Sequence, residues 1–193
     1  STVQVEEILG AADTEHYRNK SQYPIAFNGA VGLYRARTHE VVPVERCLIQ
    51  RPEADAAAQA VRQYIRRFRV PCYDEKTGHG LLRHLYVRTS GTGESLICLL
   101  GCGDRAPHEQ ELVELLRQAV PHAVGIVWGV NRKKGNAILG DGYRTLWGSD
   151  TLRDTLGGLT FRLSVPSFYQ VNRAQAEVLY QKAVEFAALT GEE

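Results

Sequence analysis

The chain has 193 residues, enough for one medium domain or two small ones, and its 44% hydrophobic and 23% charged residues are ordinary for a globular protein. Its formal net charge of +1 excludes a global basic signal for nucleic acid, so any such binding must rest on local patches. No apolar run reaches membrane-spanning length, no signal-peptide pattern opens the chain, and the cysteines at 47, 72, 98 and 102 lack the spacing of a small secreted domain, which points to a reduced, cytoplasmic protein with no membrane partner.

Taken in chain order, Tyr17 to Phe27 reads as a strand with Arg18 and Lys20 at its start, and Asn28-Gly29 is a turn signal. Val31 to Arg37 and Glu40 to Val44 read as further strands, giving a hairpin or meander. Glu53 to Arg69 reads as a helix, with Ala56, Ala60, Tyr64 and Phe68 recurring every four residues and Arg62, Arg66, Arg67 and Arg69 on its other face. After a polar connection, Leu82 to Thr89 and Ser95 to Leu100 alternate as strands. Ala106 to Ala119 is an amphipathic helix, and Ala123 to Val130 is a strand of buried type. Arg132 to Gly142 reads as a loop, basic first and then glycine-rich. Thr145 to Gly148 and Leu159 to Ser164 read as short strands, and Asn172 can cap a final helix from Arg173 to Leu189. The pattern predicts an α+β fold: a mostly antiparallel sheet with two flanking helices and a terminal strand-helix unit. The stretch from 95 to 130 can form a strand-helix-strand crossover.

Several residues carry chemistry. In Ser167-Phe168-Tyr169-Gln170-Val171-Asn172, an aromatic and two amides meet at a strand-to-helix junction. Such a set can stack a flat ring and hydrogen-bond its edge. On residue type alone, Phe168 reads equally as core, Gln170 as a surface amide and Asn172 as a cap. Cys47 alone reads as a small core residue. Cys98 and Cys102, four apart, read as core running into a turn. Ile97 to Asp104 contains Gly-x-Gly between a strand and a helix, but lacks the third glycine and the acidic residue of a dinucleotide loop, so it reads as a tight turn. Basic residues fall in local groups: Arg18 and Lys20; Arg35 and Arg37; Arg83, His84 and Arg88; Arg132, Lys133 and Lys134. Interleaved with Tyr17, Tyr34 and Tyr86, they suit phosphate contacts plus base stacking, with Arg18, Arg35, Arg83 and Arg88 expected on one face. His39 and His84 have no adjacent partner forming a catalytic arrangement and read as structural or RNA-contacting.

The run from Ser167 to Asn172, continued by Gln175, Ala176, Leu179 and Tyr180, resembles the signature of the S-adenosylmethionine-dependent uracil-C5 RNA methyltransferases, which make 5-methyluridine. Gly32 to Cys47, "YRNK" (17 to 20) and "GLLRH" (80 to 84) are similar to further signatures of that family, and the resemblance runs from Tyr17 to about Gly191. It implies a cofactor- and base-contacting role for Gln170, a base-contacting role for Phe168 and Asn172, and RNA binding by Arg18, Lys20, Arg35, Arg83 and Arg88. It also implies that Cys47 is the fourth thiolate of a 4Fe-4S cluster whose other three ligands lie upstream. The implied partner is ribosomal RNA, with transfer RNA or a non-catalytic RNA-binding module as alternatives, and the implied assembly is a monomer. In the family a cysteine thiolate adds to C6 of uracil, C5 takes the methyl group, and a base removes the C5 proton. The chain contains no Met, even at position 1. The expectation is therefore a piece of a longer enzyme: residues 1–158 as a central RNA- and cluster-binding domain, and 159–193 as the start of a Rossmann-like methyltransferase domain. No catalytic residue is expected within the piece, which alone should be inactive.

Overall fold

The computed structural model describes residues 5–133, 138–140 and 142–188. Five strands form the central sheet: β1 (Lys20–Pro24), β4 (Leu82–Thr89), β5 (Ser95–Gly101), β6 (Ala123–Val130) and β7 (Gly142–Gly148), in the order β1-β4-β5-β6-β7. All neighbours are antiparallel except β5 and β6. That parallel pair needs a crossover, and α2 (Glu109–Ala119) supplies it, as the 95 to 130 pattern predicts. β2 (Gly32–Tyr34) and β3 (Val41–Pro43) form a small hairpin ahead of α1 (Pro52–Phe68). A second hairpin, β8 (Thr151–Leu156) and β9 (Leu159–Ser164), precedes α3 (Arg173–Ala187). The fold is α+β and mostly antiparallel.

The period-2 alternation of the central strands sorts two cores. Leu85, Val87, Ile97, Leu99, Ile126 and Trp128 point to the face covered by α1 and α2, where they meet Ala57, Val61, Tyr64, Leu112 and Leu116. Tyr86, Leu96, Cys98, Leu100 and Val127 point the other way and are covered by Leu152 of β8 and by Val165. Each fully buried aliphatic side chain contributes about 1.5–3 kcal/mol, so both faces of the sheet are strongly specified. Gly101 is required by close packing: a Cβ there would lie 2.5 Å from the Trp128 ring. Trp128 also donates its Nε1–H to the Gly103 carbonyl at 2.9 Å. The Gly-x-Gly loop therefore seats a tryptophan.

Some elements differ from expectation. The first strand is confined to Lys20–Pro24, because the chain bends away toward the β2–β3 hairpin, leaving only a bridge from Ile25 to Val31. On α1 the expected Ala60 and Tyr64 are buried, with Ala56 and Phe68 packed at the edge of the core, and Ala54, Ala57, Ala58, Val61 and Ile65 widen the buried stripe. Arg62 is not solvated with the other arginines. Its Nη2 donates to the carbonyls of Val31 and Val44, tying the small hairpin to the helix. α2 begins at Glu109, three residues after the expected start at Ala106, which is packed in the core ahead of the helix. β8 is an additional strand, in which Leu152, Asp154 and Leu156 turn inward. β8 and β9 pair residue for residue around a turn at Gly157-Gly158. Leu189, the expected end of the last helix, lies outside the described residues. No helix among the described residues is long and apolar enough to cross a membrane.

Candidate base-binding and RNA-docking site

The signature segment follows β9. Pro166 sits in a tight turn closed by the Ser167 amide on the Ser164 carbonyl (3.2 Å) and by the Ser164 amide on Ser167 Oγ (3.0 Å). Beyond the turn the chain continues outside the named strands, bends at Val171 and bridges Arg18 through Asn172 at the start of α3. Three tethers hold it. Arg88 Nη2 donates to the Ser167 carbonyl at 2.5 Å. Asn19 Nδ2 donates to the Gln170 carbonyl at 3.0 Å, and the Asn19 amide donates to the Val171 carbonyl at 2.8 Å. Tyr169 turns inward, packing with Leu156, Leu163 and Ala176. Burial beside Asp154 pushes its phenol up to about 12. An inward Tyr169 forces its neighbours outward. Phe168 is 81% exposed, and Gln170 is half-buried.

Asn172 caps α3, its Oδ1 accepting from the Gln175 amide at 3.1 Å. Two clefts meet at this residue. One, of about 430 Å³, is bordered by Leu9, Gln170, Gln175, Leu179 and Lys182. The other, of about 340 Å³, is bordered by Tyr17, Asn19, Arg51, Gly91 and Arg173. The arrangement offers an open ring face at Phe168, primary amides at 170 and 172, and cations at the rim. It has what is needed to stack a planar base and hydrogen-bond its edge.

The structure brings together three of the five predicted RNA-binding residues. In the β1–β4 register Lys20 faces Arg88, and Arg18 Nε donates to the Lys20 carbonyl at 3.1 Å. Burial, then Arg88, then Arg18 lower the Lys20 ammonium from its ordinary value. Arg18 and Lys20 are half-buried, whereas Arg88 is fully buried and spends its guanidinium on Tyr86 Oη and the Ser167 carbonyl. The expectation of one shared face fails for the other two. Arg35 sits on the β2–β3 hairpin, paired with Glu40 at 2.9 Å. Arg83 lies at the far end of β4, roughly 16 Å from Arg88 at strand rise. It is buried, stacked on Tyr73 at 4.5 Å, and donates to the Asn131 and Lys133 carbonyls. Arg83 and Arg88 are an odd number of positions apart, which sets them on opposite faces of a regular strand, and a register shift falls between Leu82 and His84. Arg132 pairs with Asp104 at 2.5 Å, and Lys134 lies outside the described residues.

Cys47 is a free, half-buried thiol. Its amide donates to Asp55 Oδ2 at 3.0 Å, while Asp55 Oδ1 accepts from Tyr23 Oη at 2.8 Å. Cys72 and Cys98 belong to the two separate cores, and Cys102 lies past the end of β5. Among the described residues no group of three His, Cys, Asp or Glu is placed to hold a metal. A 4Fe-4S cluster asks for four thiolates, and the described residues alone do not fit one. His39 pairs with Glu75 at 2.8 Å, and His84 is buried. Sequence reasoning missed Asn19, the residue that fixes the signature segment. Its position inside "YRNK", between two basic residues on the opposite strand face, was the available signal.

No family model matches the chain. An RNA methyltransferase of Listeria innocua, named as uncharacterized, is 42% identical over 195 residues, covering 99% of this chain and 43% of that protein. A protein of the same description from Halalkalibacterium halodurans is 38% identical over 197 residues, covering 100% and 43%. The chain thus spans less than half the length of the curated relatives it matches. Among solved structures, the tRNA (uracil-54, C5)-methyltransferase of Pyrococcus abyssi, in complex with S-adenosyl-L-homocysteine, shares the fold at a TM-score of 0.76 and 22% identity, over 90% of this chain and 42% of that one. Along nearly its whole length the chain is thus similar to part of proteins named as RNA methyltransferases, and it shares the fold of part of a tRNA (uracil-54, C5)-methyltransferase.

Proposed function

We propose that the chain docks RNA and forms one wall of the base pocket of an S-adenosylmethionine-dependent uracil-C5 methyltransferase acting on ribosomal RNA. The observation that carries this reading is the tethering of Ser167, Gln170 and Val171 by Arg88 and Asn19, which leaves the Phe168 ring 81% exposed beside the Gln170 amide. The Phe168 ring stacks on the uracil. Gln170 both donates and accepts, so it matches a uracil edge or a cofactor carboxylate without charge. Asn172 uses its oxygen as a cap, which leaves its NH₂ for the base. Arg18 and Lys20 contact phosphates, with Arg35 and Arg83 on separate parts of the same RNA path, and Arg88 holds Ser167 in place. S-adenosylmethionine, when bound, supplies the methyl group.

In this reading residues 1–158 act as the RNA-docking domain and 159–193 lead into a Rossmann-like cofactor domain that contributes the nucleophilic cysteine and the base. Cys47 is one of four cluster thiolates, the other three being supplied from outside the chain. Ribosomal RNA is favoured by the Cys47 context, Gly32 to Cys47. Transfer RNA is the second reading, favoured by the shared fold with a tRNA enzyme. The test incubates the complete gene product, and separately this chain, with S-adenosylmethionine carrying a labelled methyl group and either ribosomal or transfer RNA transcripts. Nucleoside mass spectrometry should find 5-methyluridine in ribosomal RNA with the complete protein and none with the chain alone. Methylation by the chain alone, or no 5-methyluridine in either RNA, overturns the reading.

A further inference from the structure

A third cleft, of about 560 Å³, lies at the opposite end of β4 from Arg88. Its volume is that of a small-molecule site, roughly 300–1,000 Å³. The turn after β1, the β2–β3 hairpin, residues 73–76 and the start of β4 enclose it. Its walls carry three aromatic side chains. Phe27 is 69% exposed, Tyr34 is 38% exposed and packs against the His39 ring at 5.5 Å, and Tyr73 is backed by Arg83 at 4.5 Å. Exposed phenylalanine and tyrosine around one cavity represent apolar surface that a ligand would remove from water.

At the cleft wall sits His84, only 4% exposed, with its Nδ1 buried and without a hydrogen-bond partner. A buried polar atom left unpaired costs on the order of 1–3 kcal/mol, and it belongs to a residue that lines the cleft. Burial and the neighbouring Arg83 charge hold this imidazole neutral near pH 7, with its pKa lowered to about 4 against a smaller opposing effect of Glu75. A neutral ring presents one donor and one acceptor nitrogen and attracts no anion. Glu40, Asp74 and Glu75 also border the cleft. Lys76 and Arg83 line the cleft as well, and Glu40 and Glu75 are paired with Arg35 and His39; carboxylates accept well from the N–H groups of a base edge.

Resting on the RNA-docking reading above, we propose that this cleft captures an unpaired nucleobase of the RNA, at a site separate from the Phe168–Gln170 wall. The base enters edge first between the Phe27, Tyr34 and Tyr73 rings, meets His84 at the wall, and leaves its ribose and phosphate outside the cleft. A base rich in N–H donors, such as guanine, fits better than uracil. Arg83 at this cleft and Arg88, which holds the Ser167 carbonyl, are roughly 16 Å apart along β4 at strand rise, a span that one strand of RNA covers.

The test is a titration of the isotope-labelled chain with each of the four nucleoside 5′-monophosphates, with inorganic phosphate, and with a short single-stranded RNA, followed by NMR. GMP should produce saturable shifts at Phe27, Tyr34, Tyr73 and His84, stronger than those of UMP, while inorganic phosphate leaves these signals unmoved. The Phe27→Ala/Tyr34→Leu variant, altered only at exposed positions, should weaken GMP binding about tenfold, the usual loss when a stacking partner is removed. His84→Gln should weaken it as well, and its folding is verified from the same spectra. If RNA shifts Arg18 and Lys20 but no nucleotide moves the cleft signals, the cleft proposal is overturned and the docking reading stands. If RNA moves neither set, both fall. Cleft shifts that follow protein concentration rather than nucleotide identify self-association and also overturn the proposal.

Discussion

Asn19 holds Gln170 by its backbone: the Asn19 side-chain NH₂ donates to the Gln170 carbonyl at 3.0 Å, across 151 residues of sequence. The same residue's amide holds Val171, so one asparagine beside β1 fixes the direction in which the Gln170 side chain leaves the chain. Asn19 is only 7% exposed, so its loss strands a buried carbonyl. Asn19→Ala should destabilise the fold by about 1–3 kcal/mol and raise amide hydrogen exchange at 167–171 above that of the central strands. Unchanged exchange in that segment would show that Arg88 and Tyr169 hold it without Asn19.

Gln170→Ala separates structure from chemistry. The tether uses the Gln170 main chain, and the side chain is half-buried at a cleft. Denaturation of the variant should coincide with that of the wild type within about 0.5 kcal/mol. In the complete protein, the rate of 5-methyluridine formation should fall roughly ten- to a hundred-fold, as for one or two lost hydrogen bonds at about 1.4 kcal/mol per tenfold. A wild-type rate would remove Gln170 from the site.

Strong local patterns made most of the fold legible. β4 and β6 match their predicted bounds because the alternation of Leu82 to Thr89 and the apolar run of Ala123 to Val130 end at turn residues. The β8 strand was missed although Leu152, Asp154 and Leu156 alternate ahead of Gly157-Gly158, a hairpin turn signal. The charged Asp154 masked the apolar rhythm. It is buried, and its Oδ1 accepts from the Gly91 amide at 2.9 Å, which only the tertiary structure provides. The exposure of Phe168 was legible from the signature, but the roles of the arginines were not. Residue type cannot separate Arg18, half-buried, from Arg88, fully buried and bonded to Tyr86, or Arg62, bonded to two carbonyls.

The thiols should react in an order set by burial. Cys47 is half-buried at the surface, while Cys98 lies fully inside the second core and Cys72 inside the first. Burial pushes the Cys98 thiol far up and the Cys72 thiol to about 11, which suppresses their reactive thiolates. Brief alkylation of the native chain at pH 8, read by peptide mass spectrometry, should label Cys47 well before Cys72 or Cys98, and all four only after unfolding. Early labelling of Cys98 would show that the β4–β5–β6 core opens readily. Slow labelling of Cys47 would show that its sulfur is shielded, and would count against the cluster role proposed for it.

His84 should make the fold sensitive to mild acid. Its ordinary pKa is 6.5, and burial with the Arg83 charge lowers it to about 4 in the folded chain. Above pH 6.5 the imidazole is neutral whether the chain is folded or not, so it contributes no pH dependence there. Between 6.5 and 4 the unfolded chain takes up a proton that the folded chain refuses, so stability declines as pH falls through this window. The loss attributable to this group is roughly 3 kcal/mol by pH 4, at 1.36 kcal/mol per pH unit. Urea denaturation at successive pH values should show that decline, and His84→Gln, neutral throughout, should flatten it while leaving the carboxylate-driven loss at lower pH intact. The same slope in wild type and variant would mean that His84 protonates freely in the folded chain, and that the wall of the third cleft is open to water.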